Sequence, residues 1–132
     1  MTESDKPRSV SLTLPYPPSV NAYWRRVGNR TVLSRAAREF RKRVWDLWFA
    51  EKYLFGRKGF GDREVRVEIE VHPPDQRKRD IDNIAKPVLD ALEHAKIIDN
   101  DSQVKELSII RLGPVPGGEL KVRVVAKEGP FS

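Results

Sequence analysis

Val65, Val67, Ile69 and Val71 alternate with charged residues through "EVRVEIEVH", the period-two pattern of a half-buried strand, and predict the clearest strand of the chain. Upstream, "VSLTL" at Val10–Leu14 alternates in the same way and runs into "PYPPS", whose prolines end the strand or hold it at a sheet edge. Gly28-Asn29 signals a turn, and Thr31-Val32-Leu33 a short extended piece. Ser34 then caps a helix of about 20 residues in which Ala36, Ala37, Phe40, Val44, Leu47 and Trp48 form the apolar stripe and Arg35, Arg38, Arg41 and Lys42 lie opposite.

After a glycine-rich loop, the strand at Val65–Val71 and Pro73-Pro74, a second helix is predicted from Asn83 to about Lys96, with Ile84, Val88, Ala91, Leu92 and Ala95 on one face. Pro87 falls in or near its first turn, where a missing N–H does least damage. Two further strands, Val104–Leu112 and Glu119–Lys127, are expected to form a hairpin around "GPVPGG". The order of elements predicts an α/β (α+β) fold, a mixed sheet of about four strands with helices packed on it. All 132 residues form one domain, with 1–8 expected to be a flexible tail.

Charge changes this picture more than composition does. Residues 1–60 hold 13 Lys/Arg against 5 Asp/Glu, whereas residues 61–132 hold 12 against 14. Between Arg25 and Arg43 stand eight cations, among them Arg25, Arg26, Arg30, Arg35, Arg38 and Lys42, and one acid, Glu39. Such a patch concentrates polyanions, although a solvated helix face accounts for the charge equally well. Trp24 and Trp45 lie among these cations, as packing residues or as platforms for bases. No apolar run reaches membrane-spanning length, and the N-terminus lacks a signal peptide's apolar segment. The absence of cysteine excludes disulfides and thiolate metal sites and suits a cytoplasmic location.

The acids collect in "RKRDIDNIAKPVLDALEHAKIIDNDSQV", where Asp80 and Asp82 follow Arg77-Lys78-Arg79, and Asp99 and Asp101 come later. If Asp80-Ile81-Asp82 is extended, its two carboxylates share a face about 6–7 Å apart and repel until a cation lies between them. Hard oxygen donors suit Mg²⁺ or Mn²⁺. A surface turn or helix cap explains the same triplet. Asp82, Lys86 and Asp90 recur at helical spacing, as simple i, i+4 ion pairs or as a cation set beside a phosphate. Asp99 and Asp101 are either a polar turn or acids returned to the site by the strand that follows. His72 and His94 are isolated and read as structural or surface residues.

"RDIDNIAKPVLDAL" followed by "DNDSQV" resembles the RusA family of Holliday junction resolvases, and "LTLPYPPSVNAYWR" and "RTVLS" fall in that family's order. The resemblance spans about residues 9–127. It implies Mg²⁺ binding, with Mn²⁺ able to substitute, by Asp80, Asp82 and Asp101, and a role in cleavage for Lys86. Asp90 matches a motif acid that supports the site. The family's later acidic pair is often two adjacent aspartates, whereas here Asn100 fills the first place and Asp99 precedes it, so Asp99 is the alternative to Asp101 and Asp90 a further possible ligand. The implied activity is paired, symmetric cleavage of four-way and branched DNA in recombination and repair. A homodimer in the bacterial or phage-infected cytoplasm would carry it out, with no small-molecule cofactor and no membrane. Arg25, Arg26, Arg30, Arg35, Arg38, Lys42, Arg77, Lys78 and Arg79 are the expected DNA contacts. The rival readings are a DNA-binding protein without catalysis and a metal-dependent hydrolase of small phosphates.

Overall fold

The computed structural model describes residues 9–127. The tail expected at 1–8 lies outside them. β1 (Ser9–Pro15) leads into a single helical turn, α1 (Val20–Tyr23), capped by the Ser19 hydroxyl, which accepts from Ala22 N. β2 (Trp24–Val27) and β3 (Arg30–Leu33) form a two-stranded hairpin closed by Gly28-Asn29. Gly28 sits at φ 60°, the left-handed conformation that the first position of such a tight turn calls for. Sequence patterning predicted the turn and β3 but neither α1 nor β2.

α2 (Arg35–Phe55) starts at Ser34 as predicted, with the Ser34 Oγ accepting from Ala37 N at 3.1 Å. Ala37, Phe40, Val44 and Trp48 are buried and Leu47 partly so, whereas Ala36 is exposed. β4 (Val65–His72) buries Val65, Val67, Ile69 and Val71. A 3-10 turn (Ile81–Ile84) then runs into α3 (Ala85–His94), with Ile84, Val88, Ala91, Leu92 and Ala95 buried as the periodicity required. Between α2 and β4, Gly59 lies so close to the turn after α3 that a Cβ there would stand 2.6 Å from the Lys96 carbonyl oxygen. Its neighbour Phe60, buried at 2% exposure, donates its backbone N–H to Ile97 O.

β5 (Val104–Arg111) and β6 (Glu119–Ala126) do not pair as the predicted hairpin. The sheet order is β1-β6-β4-β5. β4, α3 and β5 make a parallel crossover unit, the connection that parallel strands require. The segment after β5 then passes over the end of β4, where Leu112 N bonds Val71 O and Val115 N bonds Pro73 O. It delivers β6 antiparallel to both β4 and β1. The rest of the reading holds: a mixed four-stranded sheet with helices packed on it. Core residues of β1, β4 and β6 meet α2 and α3, while Ser11, Thr13, Glu70, Lys121 and Arg123 remain exposed. No helix of the described residues is long and apolar enough to cross a membrane.

One polar clasp joins α1, α2 and α3. Asp90 of α3 accepts two hydrogen bonds from the Arg41 guanidinium, at 2.8 and 3.1 Å, and a short one from the Tyr23 hydroxyl. Tyr23 is fully buried, and burial followed by the Asp90 carboxylate raises its pKa far above the ordinary value. Removing the shared acceptor strands a buried hydroxyl and a largely enclosed guanidinium. Asp90→Ala is therefore expected to lower unfolding free energy by about 2–4 kcal/mol in urea titrations. A loss within experimental error of zero would show that the clasp does not hold the helices.

Candidate functional site

Pro73 and Pro74 stop β4, and the following loop is organised by Asp75. Its carboxylate accepts from Arg79 Nη1 at 2.7 Å and from the Arg77 backbone N–H at 3.0 Å, and it pairs with Arg77 Nε at 3.5 Å. The Arg79 hydrogen bond, then that of Arg77, holds Asp75 well below the usual carboxylate range; the same bond raises Arg79. Arg79 is thereby fixed over the Tyr16 ring, 5.8 Å from its centroid. Arg111, at the end of β5, donates to the Arg77 carbonyl. Tyr16, Arg79 and Arg111 border a cleft of about 640 Å³ between the proline-rich segment Tyr16–Pro18 and the loop carrying Lys78, Arg79 and Asp80.

Asp80 is extended, at φ −75° and ψ 127°, but Asp82 is not, because Asn83 N bonds the Asp80 carbonyl and closes the 3-10 turn. The shared strand face expected for the two carboxylates is replaced by a strand-to-helix corner. Asp80, Asp82 and Lys86 are all exposed. The i, i+4 ion pairs that would make this a solvated helix face are absent: among the described residues Lys86 pairs with neither Asp82 nor Asp90. The 3-10 turn takes Asp82 off the α3 repeat, and Asp90 is committed to Arg41 and Tyr23. Asp90 thus braces α3 against α1 and α2.

Asp99 and Asp101 occupy another place. Buried Gln103 accepts from the backbone N–H groups of Asp99 and Asn100 and donates to Gly61 O and Arg63 O. Asn100 caps the short 3-10 turn Asp101–Gln103 through Ser102 N at 2.8 Å. The polar-turn reading is therefore correct for the backbone, and it leaves both acids exposed. β5 lies beside β4 and parallel to it, with Val104 opposite Val65 and Arg111 opposite Val71. Asp101 stands at the start of both strands and Asp80 at their far end. The eight residues of β5 separate them by on the order of 25 Å. Among the described residues, no three carboxylates or imidazoles converge on a metal-sized site.

The basic residues spread over neighbouring surface. Arg25, Arg26 and Arg30 are exposed on the β2–β3 hairpin, and Arg35, Arg38 and Lys42 on the first half of α2. Arg35 pairs with Glu39, Lys42 with Asp46, and Arg38 donates to the Leu33 carbonyl. His72 Nδ1 lies 2.8 Å from Gly113 O, while His94 borders a cleft beside α2, where burial, then Arg41, lowers its pKa. Sequence reasoning missed Asp75, Tyr16 and Arg111. Only the prolines around Tyr16 and the Asp–Arg spacing at 75 and 79 hinted at them.

The model of the family described as endodeoxyribonuclease RusA matches residues 15–125. A phage HK97 protein named crossover junction endodeoxyribonuclease is 37% identical over 115 residues, covering 87% of this chain and 92% of that protein. Proteins of the same name from Shigella sonnei strain Ss046 and Escherichia coli K12 are each 33% identical over 116 residues, covering 88% of this chain and 93% of theirs.

The Asp75 clamp makes a pH-dependent prediction. A depressed folded pKa stabilises above the ordinary carboxylate value of 3.8, and that contribution disappears as pH falls through the folded pKa. Carboxyl-carbon NMR titration should place the Asp75 midpoint clearly below 3.8, and Arg79→Ala should move it back up. A midpoint at the ordinary value would mean that the pair is dispersed in solution.

Proposed function

The chain belongs to the RusA family of endodeoxyribonucleases, and from that premise we propose that it resolves four-way DNA junctions by hydrolysing one phosphodiester in each of two opposed strands. The observation that carries this reading is the set Asp80, Asp82 and Lys86. All three are exposed, and Lys86 is not neutralised by the acids of its own helix, beside a loop whose arginines are fixed in place. In a protein of net charge +6, exposed acids at the edge of a basic surface are suited to a ligand that carries cations on its phosphates.

The donor set fits a hard divalent cation. It offers carboxylate oxygens, the chain has no thiol, His72 Nδ1 is engaged with Gly113 O, and His94 borders a separate cleft beside α2. Mg²⁺, or Mn²⁺ in its place, would be held by Asp80 and Asp82 with Asp101, or Asp99, as the later ligand, and would polarise the scissile phosphate and lower the pKa of a bound water. Lys86, in the first turn of α3, would neutralise charge building on the phosphoryl oxygens. Arg77, Lys78 and Arg79 hold the phosphates flanking the cut. Arg25, Arg26, Arg30, Arg35, Arg38 and Lys42 extend that hold along an arm of the junction.

A single copy keeps Asp101 a strand length away from Asp80, so the working unit is a homodimer in which Asp101 of the partner subunit completes each site. β5 suits this role. It is one of the two edge strands of the sheet, and Leu107, Ile110 and Leu112 are exposed along and just past it. Antiparallel pairing of β5 with its copy about a two-fold axis would set the start of one strand beside the end of the other. The same axis would place two equivalent sites on the two-fold symmetric junction, the arrangement paired cuts require. The biological setting that follows is recombination and repair in a bacterial or phage-infected cytoplasm.

Asp82→Asn is expected to abolish cleavage while junction affinity changes less than about threefold. Lys86→Ala should lower turnover by on the order of a hundredfold or more with little change in affinity. Asp101→Asn should be inactive alone, yet after the dimers exchange subunits with Asp82→Asn they should nick one strand. A mixed dimer then retains one site with Asp82 and the partner's Asp101 both intact. No nicking from the exchanged mixture would place all the acids of a site within one chain.

A second outcome concerns the basic surface. Arg35→Ala, Arg38→Ala and Lys42→Ala combined should weaken junction binding and flatten the plot of log affinity against log salt by about one to three units of slope. An unchanged slope would place these cations off the DNA.

A further inference from the structure

α2 is longer than the core it covers. Its 21 residues extend about 31 Å, but its last buried side chain is Trp48, so the final two turns project past the packed layer. On this part of the helix Trp45, Phe49 and Tyr53 recur at i, i+4 and i+8 and stack on one another. Their ring centroids are 5.3 and 6.4 Å apart and their planes lie within 12° and 11° of parallel. They are 43%, 51% and 80% exposed, a large aromatic area left facing water.

Cations precede the ladder along α2, Arg35 paired with Glu39 and Lys42 with Asp46. At 100° per residue, Arg35, Arg38 and Lys42 fall on the same side of α2, one to three turns before the rings. Arg38, Lys42 and Trp45 also border a cleft of about 490 Å³ that reaches Leu33 and His94. Burial and then Arg41 keep His94 below its ordinary pKa, so at pH 7 its ring adds a neutral planar surface to that cleft. Lys42 is shared with Asp46, and Arg38 donates to a backbone carbonyl, which fixes both heads near the surface.

We propose that the Trp45–Phe49–Tyr53 face of α2 is a stacking platform for single-stranded DNA, giving the protein a hold on branched substrates that carry an unpaired arm. Aromatic rings interleaved with cations are the feature that lets a protein bind unpaired nucleotides without reading sequence, since every base offers a π-face and every linkage a phosphate. Paired duplex cannot use such a ladder, because its base faces are already covered by their neighbours. A partner helix is a poorer fit: it would call for aliphatic residues at i, i+3, i+4 and i+7 rather than a straight aromatic row continuing a cationic one. The ligand class rests on the DNA reading above, but the contact itself requires neither a junction nor cleavage.

The test is fluorescence anisotropy of a labelled 20-nucleotide oligo(dT) and of a 20-base-pair duplex, in EDTA and about 0.2 M salt, where purely ionic binding is weak. The wild-type protein should bind oligo(dT). Phe49→Ala with Tyr53→Ala should weaken that binding at least about tenfold, change duplex affinity less than about twofold, and leave cleavage of a fully paired junction unaltered. Phe49→Leu with Tyr53→Leu, which keeps apolar area but removes the rings, should lose oligo(dT) affinity as well. Wild-type protein that ignores oligo(dT), equal losses on duplex, or full affinity in the leucine variant would each overturn the proposal. So would sedimentation in which the alanine variant loses self-association while oligo(dT) binding stays intact, since the face would then be a contact between copies.

Discussion

The parallel pairing of β4 with β5 is the constraint on which the rest of the molecule turns. Parallel neighbours cannot be joined by a tight turn, so the chain must return through α3, and that crossover decides where every acid of the motif ends up. Asp80 and Asp82 leave β4 at one end of the sheet, and Lys86 stands in the first turn of the returning helix. Asp99 and Asp101 arrive where β5 begins, at the opposite end. A hairpin would have kept all of them within reach of one another. The open outer edge of β5 follows from the same constraint, since β6 is taken by β4 and β1 on the other side.

Two classes of carboxylate emerge once the contacts are traced. Asp75 and Asp90 are spent on structure, one holding Arg79 and Arg77 in a bent loop, the other tying Arg41 and Tyr23 across three helices. Glu68 belongs with them, bridging Arg66 and Arg123 on the outer face of the sheet. Asp80, Asp82, Asp99 and Asp101 stay exposed at the surface. Their backbone is nonetheless held firmly, by the 3-10 turn on one side and by the Gln103 amide on the other. On the proposed function, fixed backbone with open side chains would keep these groups ready for a ligand.

Sequence patterning revealed what short-range periodicity encodes. The alternation in β4, the stripe of α2 behind Ser34 and the buried face of α3 were all legible because each depends on residues two to four positions apart. Strand partnership was not. Seven residues separate β5 from β6, a length that serves a hairpin or a crossing equally well, and nothing in either strand states which side of β4 it will occupy. Trp24–Val27 escaped notice because "WRRV" has no apolar alternation and becomes a strand only through β3. The D-x-D triplet is too short to carry a period, so its corner geometry was invisible. The motif drew attention to Asp90, but its use depends on Arg41, 49 residues away, just as Arg111 reaches the site only through the register of β5.

The strand order also has a bearing on how the chain acquires its shape. Among the described residues β1 pairs only with β6, Ser9 meeting Val125, so an early strand is completed by one made much later. While the ribosome is still extending the chain, α2 can cover the apolar side of "VSLTL", but the strand has no partner for its backbone N–H and C=O groups, and β4 lacks one of its two neighbours. Local units such as α2 and the β2–β3 hairpin can assemble early, but closure of the sheet waits for more than a hundred residues of intervening chain to be drawn in, which makes folding slow for a protein of this size. Until then the unpaired strand is a target for chaperones or for mispairing with another nascent copy.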